Sequence, residues 1–190
     1  VEAEGFSGGF DPDGLNSSGY TPFLVDQQLQ QHASSLAVFA NADFDINDQV
    51  QITGGARFTT EKRSLQTTVG FEEPTFFLPL VDNFKDQAKF DSFSGKLGIN
   101  YRPTSDILAY ATISRGFKSG GFNGALVFSD AELAPFRPEK LTAYETGLKL
   151  TLANGRVTAN SAAFYYDYRD IQLFTFASAN GIPIQLLDNA

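Results

Sequence analysis

The 190-residue chain contains no cysteine, no methionine and no tryptophan, and it has one histidine, His32. Zero cysteine excludes disulfide scaffolds, thiolate zinc sites, Fe–S clusters and cysteine nucleophiles, and leaves the redox compartment open. One histidine excludes a multi-histidine metal site, and His32 follows Gln27 to Gln31 in what reads as a loop-to-strand junction, with its ring at the surface. Basic residues are few: 14 Lys and Arg against 22 Asp and Glu, a formal net charge of −8, with no basic run. A nucleic-acid partner needs a basic footprint on the phosphates, so none is expected. No apolar stretch approaches the ~18 residues of a membrane-spanning helix, so any meeting with a bilayer must use another structure. With no methionine and no charged-then-apolar leader, position 1 is expected not to be a translation start.

What is present is alternation of period 2, which places successive side chains on opposite faces of a strand. Between Gln49 and Glu61 one parity reads Val50, Ile52, Gly54, Ala56, Phe58, Thr60 and the other Gln49, Gln51, Thr53, Gly55, Arg57, Thr59, Glu61. Phe93, Gly95, Leu97, Ile99 and Tyr101 oppose Ser92, Ser94, Lys96, Gly98, Asn100 and Arg102. Tyr144, Thr146, Leu148, Leu150 and Leu152 oppose Glu145, Gly147, Lys149 and Thr151. The spacing predicts an all-β antiparallel up-and-down meander, with strands near 30–45, 49–65, 90–102, 107–118, 139–152 and 156–174 and a seventh beginning at 184–190. The facing of 107–118 is open from the sequence.

The connections alternate in length. Tight turns are expected at Ile46-Asn47-Asp48, Pro103-Thr104-Ser105-Asp106 and Ala153-Asn154-Gly155, all made of residues that favour turns or tolerate positive φ. Long loops are expected at 1–27, which holds five Gly and two Pro, at 66–89 with Phe71, Pro74, Phe76, Phe77 and Pro79, and at 119–138 with Gly120, Gly121, Phe122, Pro135 and Pro138.

Strands of about 12–16 residues exceed the usual length in globular sheets and suit tilted strands that cross roughly 25–30 Å of hydrocarbon. Short turns at one end and long loops at the other complete the pattern of an outer-membrane barrel. Closure is what allows a sheet to sit in lipid at all, since it leaves no backbone edge unpaired. The polar parity, with Arg57, Glu61, Lys96, Arg102, Glu145 and Lys149, then faces an aqueous lumen. Phe164, Tyr166 and Tyr168 are expected to point outward as an interfacial girdle with Asp167 inward; Thr158 and Asn160 share that outward parity and need a bulge or the opposite facing. Six strands and the start of a seventh suggest an internal piece of a larger barrel, one not expected to fold alone because two edges and an apolar face would be bare.

Sites weighed on residue chemistry are sparse. Asp11-Pro12-Asp13-Gly14-Leu15-Asn16 alternates oxygen ligands as a calcium loop does, but Pro22 stands where a bidentate Glu belongs, so a polar loop is the better reading. Asp43, Asp45, Asn47 and Asp48 cluster, yet a turn accounts for the last two. The glycines at 116, 120, 121 and 124 with Lys118 match no P-loop spacing. No nucleophile–base pair can be assembled, so neither an enzyme nor a cofactor is expected. Arg57, Glu61, Lys96, Arg115, Lys118, Glu145 and Lys149 are candidate lumen- or ligand-facing residues, and Phe71, Phe76, Phe77 and Phe122 are candidate loop contacts to a ligand, or else loop packing.

Residues 110–123, Tyr-Ala-Thr-Ile-Ser-Arg-Gly-Phe-Lys-Ser-Gly-Gly-Phe-Asn, and 136–150, Phe-Arg-Pro-Glu-Lys-Leu-Thr-Ala-Tyr-Glu-Thr-Gly-Leu-Lys-Leu, resemble the barrel domain of TonB-dependent receptors. Ala37-Val38-Phe39-Ala40 with Asp43-Phe44-Asp45, then Thr53-Gly54-Gly55-Ala56-Arg57-Phe58, and later Phe164-Tyr165-Tyr166-Asp167-Tyr168-Arg169-Asp170 fit the same family in its order, over roughly residues 35–190. The resemblance implies a 22-stranded barrel in the bacterial outer membrane. It also implies a plug domain of the same full-length chain, and active import of a scarce ligand such as an iron–siderophore complex, cobalamin or a saccharide. Outer-membrane lipid and the TonB complex, reached through an upstream segment, are the implied partners. A passive porin and a soluble β-sandwich binding module are the alternative readings.

Overall fold

Alternating sequence becomes strand here, and turn chemistry decides where each strand ends. The computed structural model describes residues 2–3, 8–9, 24–73, 76–124, 127–179 and 182–190. The strands are β1 (Glu2–Ala3), β2 (Gly8–Gly9), β3 (Leu24–Asp45), β4 (Val50–Glu73), β5 (Phe76–Thr104), β6 (Ile107–Lys118), β7 (Glu139–Leu152), β8 (Val157–Arg169), β9 (Gln172–Ala179) and β10 (Ile182–Asn189). β3 to β8 form one antiparallel meander in sequence order, with β1 and β2 against β3, and β9–β10 is a separate hairpin. Among the described residues no helix is long and apolar enough to cross a membrane. The only helical element there is a 3-10 turn at Asp130–Leu133.

Three tight turns share one end of the sheet. At the first, the Asn47 carboxamide oxygen accepts from the backbone N–H groups of Gln49 and Val50, both at 2.9 Å, so a side chain closes the turn and no metal is required. At the third, Ala153, Asn154 and Gly155 all take positive φ.

The opposite end departs from expectation. The described part of 66–89, expected as a long loop, is strand: β4 and β5 run on as a paired hairpin. The prolines suggested a loop, but Pro79 sits opposite Gly70 beside a register shift, where a missing N–H is tolerated. A second shift lies between Thr67 and Val69, opposite Asn83 at φ 47. There Asn83 donates its backbone N–H to Thr68 Oγ1 at 3.1 Å and accepts from Gln66 Nε2 at 3.1 Å. The expected strand 156–174 breaks at Asp170, φ 54. Residues 184–190 pair with β9, so they do not begin a seventh strand of the large sheet. The Asp11–Asn16 run and most of 1–27 lie outside the described residues, although 24–27 already belong to β3.

Register fixes the two faces. Val38 pairs with Phe58, Phe58 with Phe93, Leu97 with Ile113, and Ile113 with Tyr144. This outer face is apolar and open: Leu36 is 73 % exposed, Val38 71 % and Leu97 57 %. Those side chains are therefore not sealed between two layers, as a sandwich core would require. From Val50 to Thr60 the strand advances about 34 Å at ~3.4 Å per residue, or about 24 Å along the normal at a ~45° tilt, the height of the apolar band in outer-membrane barrels.

A core does exist, and it sits on the inner face above that band. Leu65, Val69 and Val81 of the β4–β5 extension pack with Phe122, Val127 and Leu133 of the 119–138 segment, and Leu186 of β10 joins them.

Candidate functional site

The inner face carries the polar parity. Arg57 pairs with Ser94 and Phe39, Glu61 with Phe90 and Ser35, Lys96 with Ser114 and Gly55, and Lys149 with Leu108 and Asn160. Glu145 lies opposite Thr112, and Lys118 opposite Glu139 at the upper end. These residues thus share one face. Arg57 Nε donates to Thr59 Oγ1 at 3.1 Å, and its guanidinium lies 6.0 Å from the Phe39 ring centre. Tyr110 donates its hydroxyl to Glu145 Oε1 at 2.6 Å, and the Lys149 ammonium lies 5.8 Å from the same ring. Gly147 makes that arrangement possible, since a Cβ there would come within 2.6 Å of Tyr110 Cζ.

Arg115 departs from the expectation for it. It pairs with Gly95 and Thr142, on the parity of Leu97 and Ile113, and so stands on the outer face, one register line beyond Ile113 and Tyr144. β8 departs as well. Tyr144 pairs with Tyr165 and Glu145 with Phe164, with no register shift in the β7–β8 ladder. Phe164, Tyr166 and Tyr168 therefore face inward, and Tyr165 and Asp167 outward. Phe164 and Tyr166 stack at 5.0 Å on the inner side, while Tyr165 meets Tyr144 at 6.2 Å on the outer. The signal was in the sequence: Thr158 and Asn160 share the parity of Phe164, and the ladder needs no bulge to explain them.

Above the inner face, two segments fold over the mouth. The 119–138 segment closes on itself through reciprocal backbone bonds between Gly121 and Phe136. Glu132 then takes the Phe128 N–H at 2.6 Å and the Ser129 hydroxyl at 3.1 Å. Gly120 lies where a Cβ would come within 2.6 Å of the Phe90 ring, so the segment rests directly on β5. The β9–β10 hairpin is tied to it by side-chain amides acting as strand backbone. Asn123 donates to the Leu187 carbonyl at 3.2 Å and accepts its N–H at 2.7 Å. Asn189 exchanges the same pair of bonds with Arg137, and Gln172 donates to the carbonyls of Ser119 and Arg137.

Phe122 is 5 % exposed and packs the segments together, so it is not an open ligand contact. Phe71 belongs to β4 rather than to a loop. The side chains of Phe76 and Phe77 lie outside the described residues. Under this cover residue chemistry singled out Glu61 but not Arg63, Ser92 or Ser119: Glu61 Oε2, Arg63 Nε, Ser92 Oγ and Ser119 Oγ are buried without a protein hydrogen-bond partner. They lie along β4 and β5 and at the root of the covering segment, with Gly121 beside the Arg63 guanidinium.

On the outer face, Asp91 lies just above the apolar band. It accepts from Thr60 Oγ1 at 2.6 Å and lies 3.0 Å from Lys89 Nζ. The Thr60 bond first, then Lys89, holds its carboxyl below the ordinary carboxylate range. No group of three His, Asp or Glu side chains able to hold a metal occurs among the described residues.

Residues 3–188 match the family described as TonB dependent receptor-like, beta-barrel. The pesticin receptor of Yersinia enterocolitica is 30 % identical over 178 residues, covering 93 % of this chain and 23 % of its own. The metal-pseudopaline receptor CntO of Pseudomonas aeruginosa is 23 % identical over 155 residues, 79 % of this chain and 20 % of its own. Among solved structures, the ferric yersiniabactin uptake receptor FyuA of Yersinia pestis superimposes with a TM-score of 0.67 at 28 % identity, over 89 % of this chain and 23 % of that one. The ferric-catecholate import receptor Fiu of E. coli, at 17 % identity and TM-score 0.55, shares the fold. The chain thus spans under a quarter of the curated pesticin receptor it matches. With an apolar outer face of membrane height, a polar inner face and a covered mouth, the chain belongs to the TonB-dependent receptor β-barrel family, as outer-membrane barrel wall and not as an enzyme.

Proposed function

We propose that the full-length protein imports a metal chelate of the siderophore class across the outer membrane, driven by the TonB complex, and that this chain supplies part of the wall and the outer mouth. The observation that carries this reading is the mouth itself. Buried, unpaired polar atoms of Glu61, Arg63 and Ser92 on the inner face, and of Ser119 at the root of the cover formed by 119–138 and β9–β10, lie at this mouth. A ligand taking up those hydrogen bonds would satisfy groups that the protein alone leaves open. The inner-face charges Arg57, Lys96, Glu145 and Lys149, deeper in the wall, are assigned to the passage or to contact with a plug domain. Two relatives, a ferric yersiniabactin uptake receptor and a metal-pseudopaline receptor, support a metal chelate as cargo. The covered mouth argues against a passive porin.

The test is uptake of radioactive iron, supplied as a panel of ferric chelates, by cells carrying the full-length protein with and without a functional TonB complex. Saturable uptake of at least one chelate that vanishes without TonB is expected. Uptake that persists undiminished without it would overturn the reading in favour of diffusion.

A further inference from the structure

Above the apolar band the outer face of β3, β4 and β5 changes character within two residues. One register line reads Leu36, Thr60, Asp91; the next reads Ser34, Lys62, Lys89; the one beyond reads His32, Ser64, Gln87. Lys62 and Lys89 are directly opposite each other across the β4–β5 ladder. Like charges so placed destabilise a sheet unless an anion lies between them. Lys89 is held on one side by Asp91, while Lys62 has no acidic partner among the described residues. Around them is a shallow hollow of about 430 Å³, lined on this face by His32, Ser34, Lys62, Ser64, Gln87 and Lys89. Directly beneath stand Leu36, Val38, Phe58 and Phe93, the upper edge of the lipid-facing band.

We infer that this hollow binds the phosphate of a membrane-lipid headgroup, with the lipid's acyl chains lying on the apolar side chains below. A phosphate offers acceptor oxygens to two ammonium groups at once and to the hydroxyls of Ser34 and Ser64, and it relieves the repulsion between the lysines. Continuity with the band selects a lipid over a free anion, because the same face supplies adjoining apolar surface for the chains. The inference goes beyond the import reading and is independent of the cargo.

The test is native mass spectrometry of the full-length protein taken from micelles containing equal amounts of phosphatidic acid and phosphatidylcholine. The unmodified protein should retain phosphatidic acid preferentially, and the preference should fall in high salt as screening weakens the lysines. Lys62→Gln with Lys89→Gln should lower the preference about 30-fold, as expected for two surface lysines beside an anionic headgroup, while Lys62→Arg with Lys89→Arg should keep it. An unchanged preference in the double Gln variant overturns the inference. So does binding of inorganic phosphate with no gain from acyl chains, which would mean an anion site without a lipid. Should the double variant fail to assemble, as judged by its mobility on a cold gel, Lys62→Gln alone with undiminished preference, or a preference in the unmodified protein insensitive to salt, would refute it.

Discussion

Two adjacent alanines in β8 offer the sharpest test of which face meets lipid. Ala162 pairs with Gly147 and faces inward; Ala163 pairs with Thr146 and faces outward. The residue type is the same and the strand is the same, so an arginine introduced at each differs in facing alone. The outer polar edge on β8 falls between Tyr165 and Asp167, about three residues above Ala163. At ~3.4 Å per residue and a ~45° tilt that is about 7 Å, roughly half-way to the midplane. Arginine at the midplane of the lipid face costs ~2–4 kcal/mol and little at the interface, so Ala163→Arg should cost about 1–2 kcal/mol. That is roughly a 5- to 30-fold fall in the folded-to-unfolded ratio. Ala162→Arg, beside Phe164 and Glu145 in the lumen, should cost a few tenths at most. The measurement is the folded fraction of full-length protein in lipid vesicles across a urea series, read from gel mobility without boiling. Equal penalties, or a larger one at Ala162, would refute the facing derived from the β7–β8 register, and with it the inward placement of Phe164, Tyr166 and Tyr168.

Other perturbations follow from single contacts. Asn123→Ala strands the Leu187 N–H and carbonyl, and at ~1–3 kcal/mol for orphaned polar groups hydrogen exchange across 182–189 should quicken about 5- to 150-fold. Gly147→Val should displace the Tyr110 ring and break its bond to Glu145; in a double-mutant cycle the penalty should shrink when Tyr110 is already alanine. Asn83→Gly, which keeps positive φ available, should leave the β4–β5 hairpin intact, whereas Asn83→Val should lower its local stability by about 1–3 kcal/mol, read by proteolysis of the extension. For Asp91 the sign follows from its depressed pKa. Its contribution is complete above the unfolded carboxylate value and is lost only as pH falls through the lower folded one. An infrared titration compared with Asp91→Asn should therefore place its midpoint below that of an ordinary aspartate.

Much of this was legible in the sequence, and the failures have physical causes. Strands β6 and β7 end where alternation and turn residues end, at Lys118, Glu139 and Leu152, because in those segments period and turn chemistry agree. Arg57, Lys96, Glu145 and Lys149 share one face of the sheet, as alternation suggests where each lies between apolar or small neighbours of opposite parity; Glu61, between Thr60 and Lys62, is placed with them by register. β8 misled because both of its parities carry aromatics, so composition could not choose between them. Only pairing with Glu145 and Tyr144 does so. Arg115 misled for the opposite reason. A charge suggested the lumen, but pairing with Gly95 and Thr142 sets it on the outer face. The amide ties of Asn123, Asn189 and Gln172 join positions far apart in the chain, a distance that no local pattern encodes.

The long β4–β5 hairpin shows why a single period cannot describe a strand that crosses from lipid into water. Up to Thr60 and Asp91 the outer parity is apolar and the inner polar; beyond them Lys62 and Lys89 are outer, while Leu65 and Val69 are inner and buried. The two faces change within a few residues of each other, the outer at Thr60 and Asp91 and the inner of β4 between Arg63 and Leu65, because both change solvent there, the outer from hydrocarbon to water and the inner from lumen to a loop-covered core. On β4 that inversion keeps parity, since Leu65, Thr67 and Val69 follow one another at period 2. On β5 it does not: Phe84 is inward on even parity and Val81, 1 % exposed, is inward on odd. The register shift at Asn83 supplies the missing step. A ladder without it would pair Val69 with Asp82, burying a carboxylate against Leu133 and Val127 and turning Val81 to solvent. The shift lies above the inversion, so it corrects the core of the mouth without moving any residue that faces lipid. That placement lets one hairpin serve both environments.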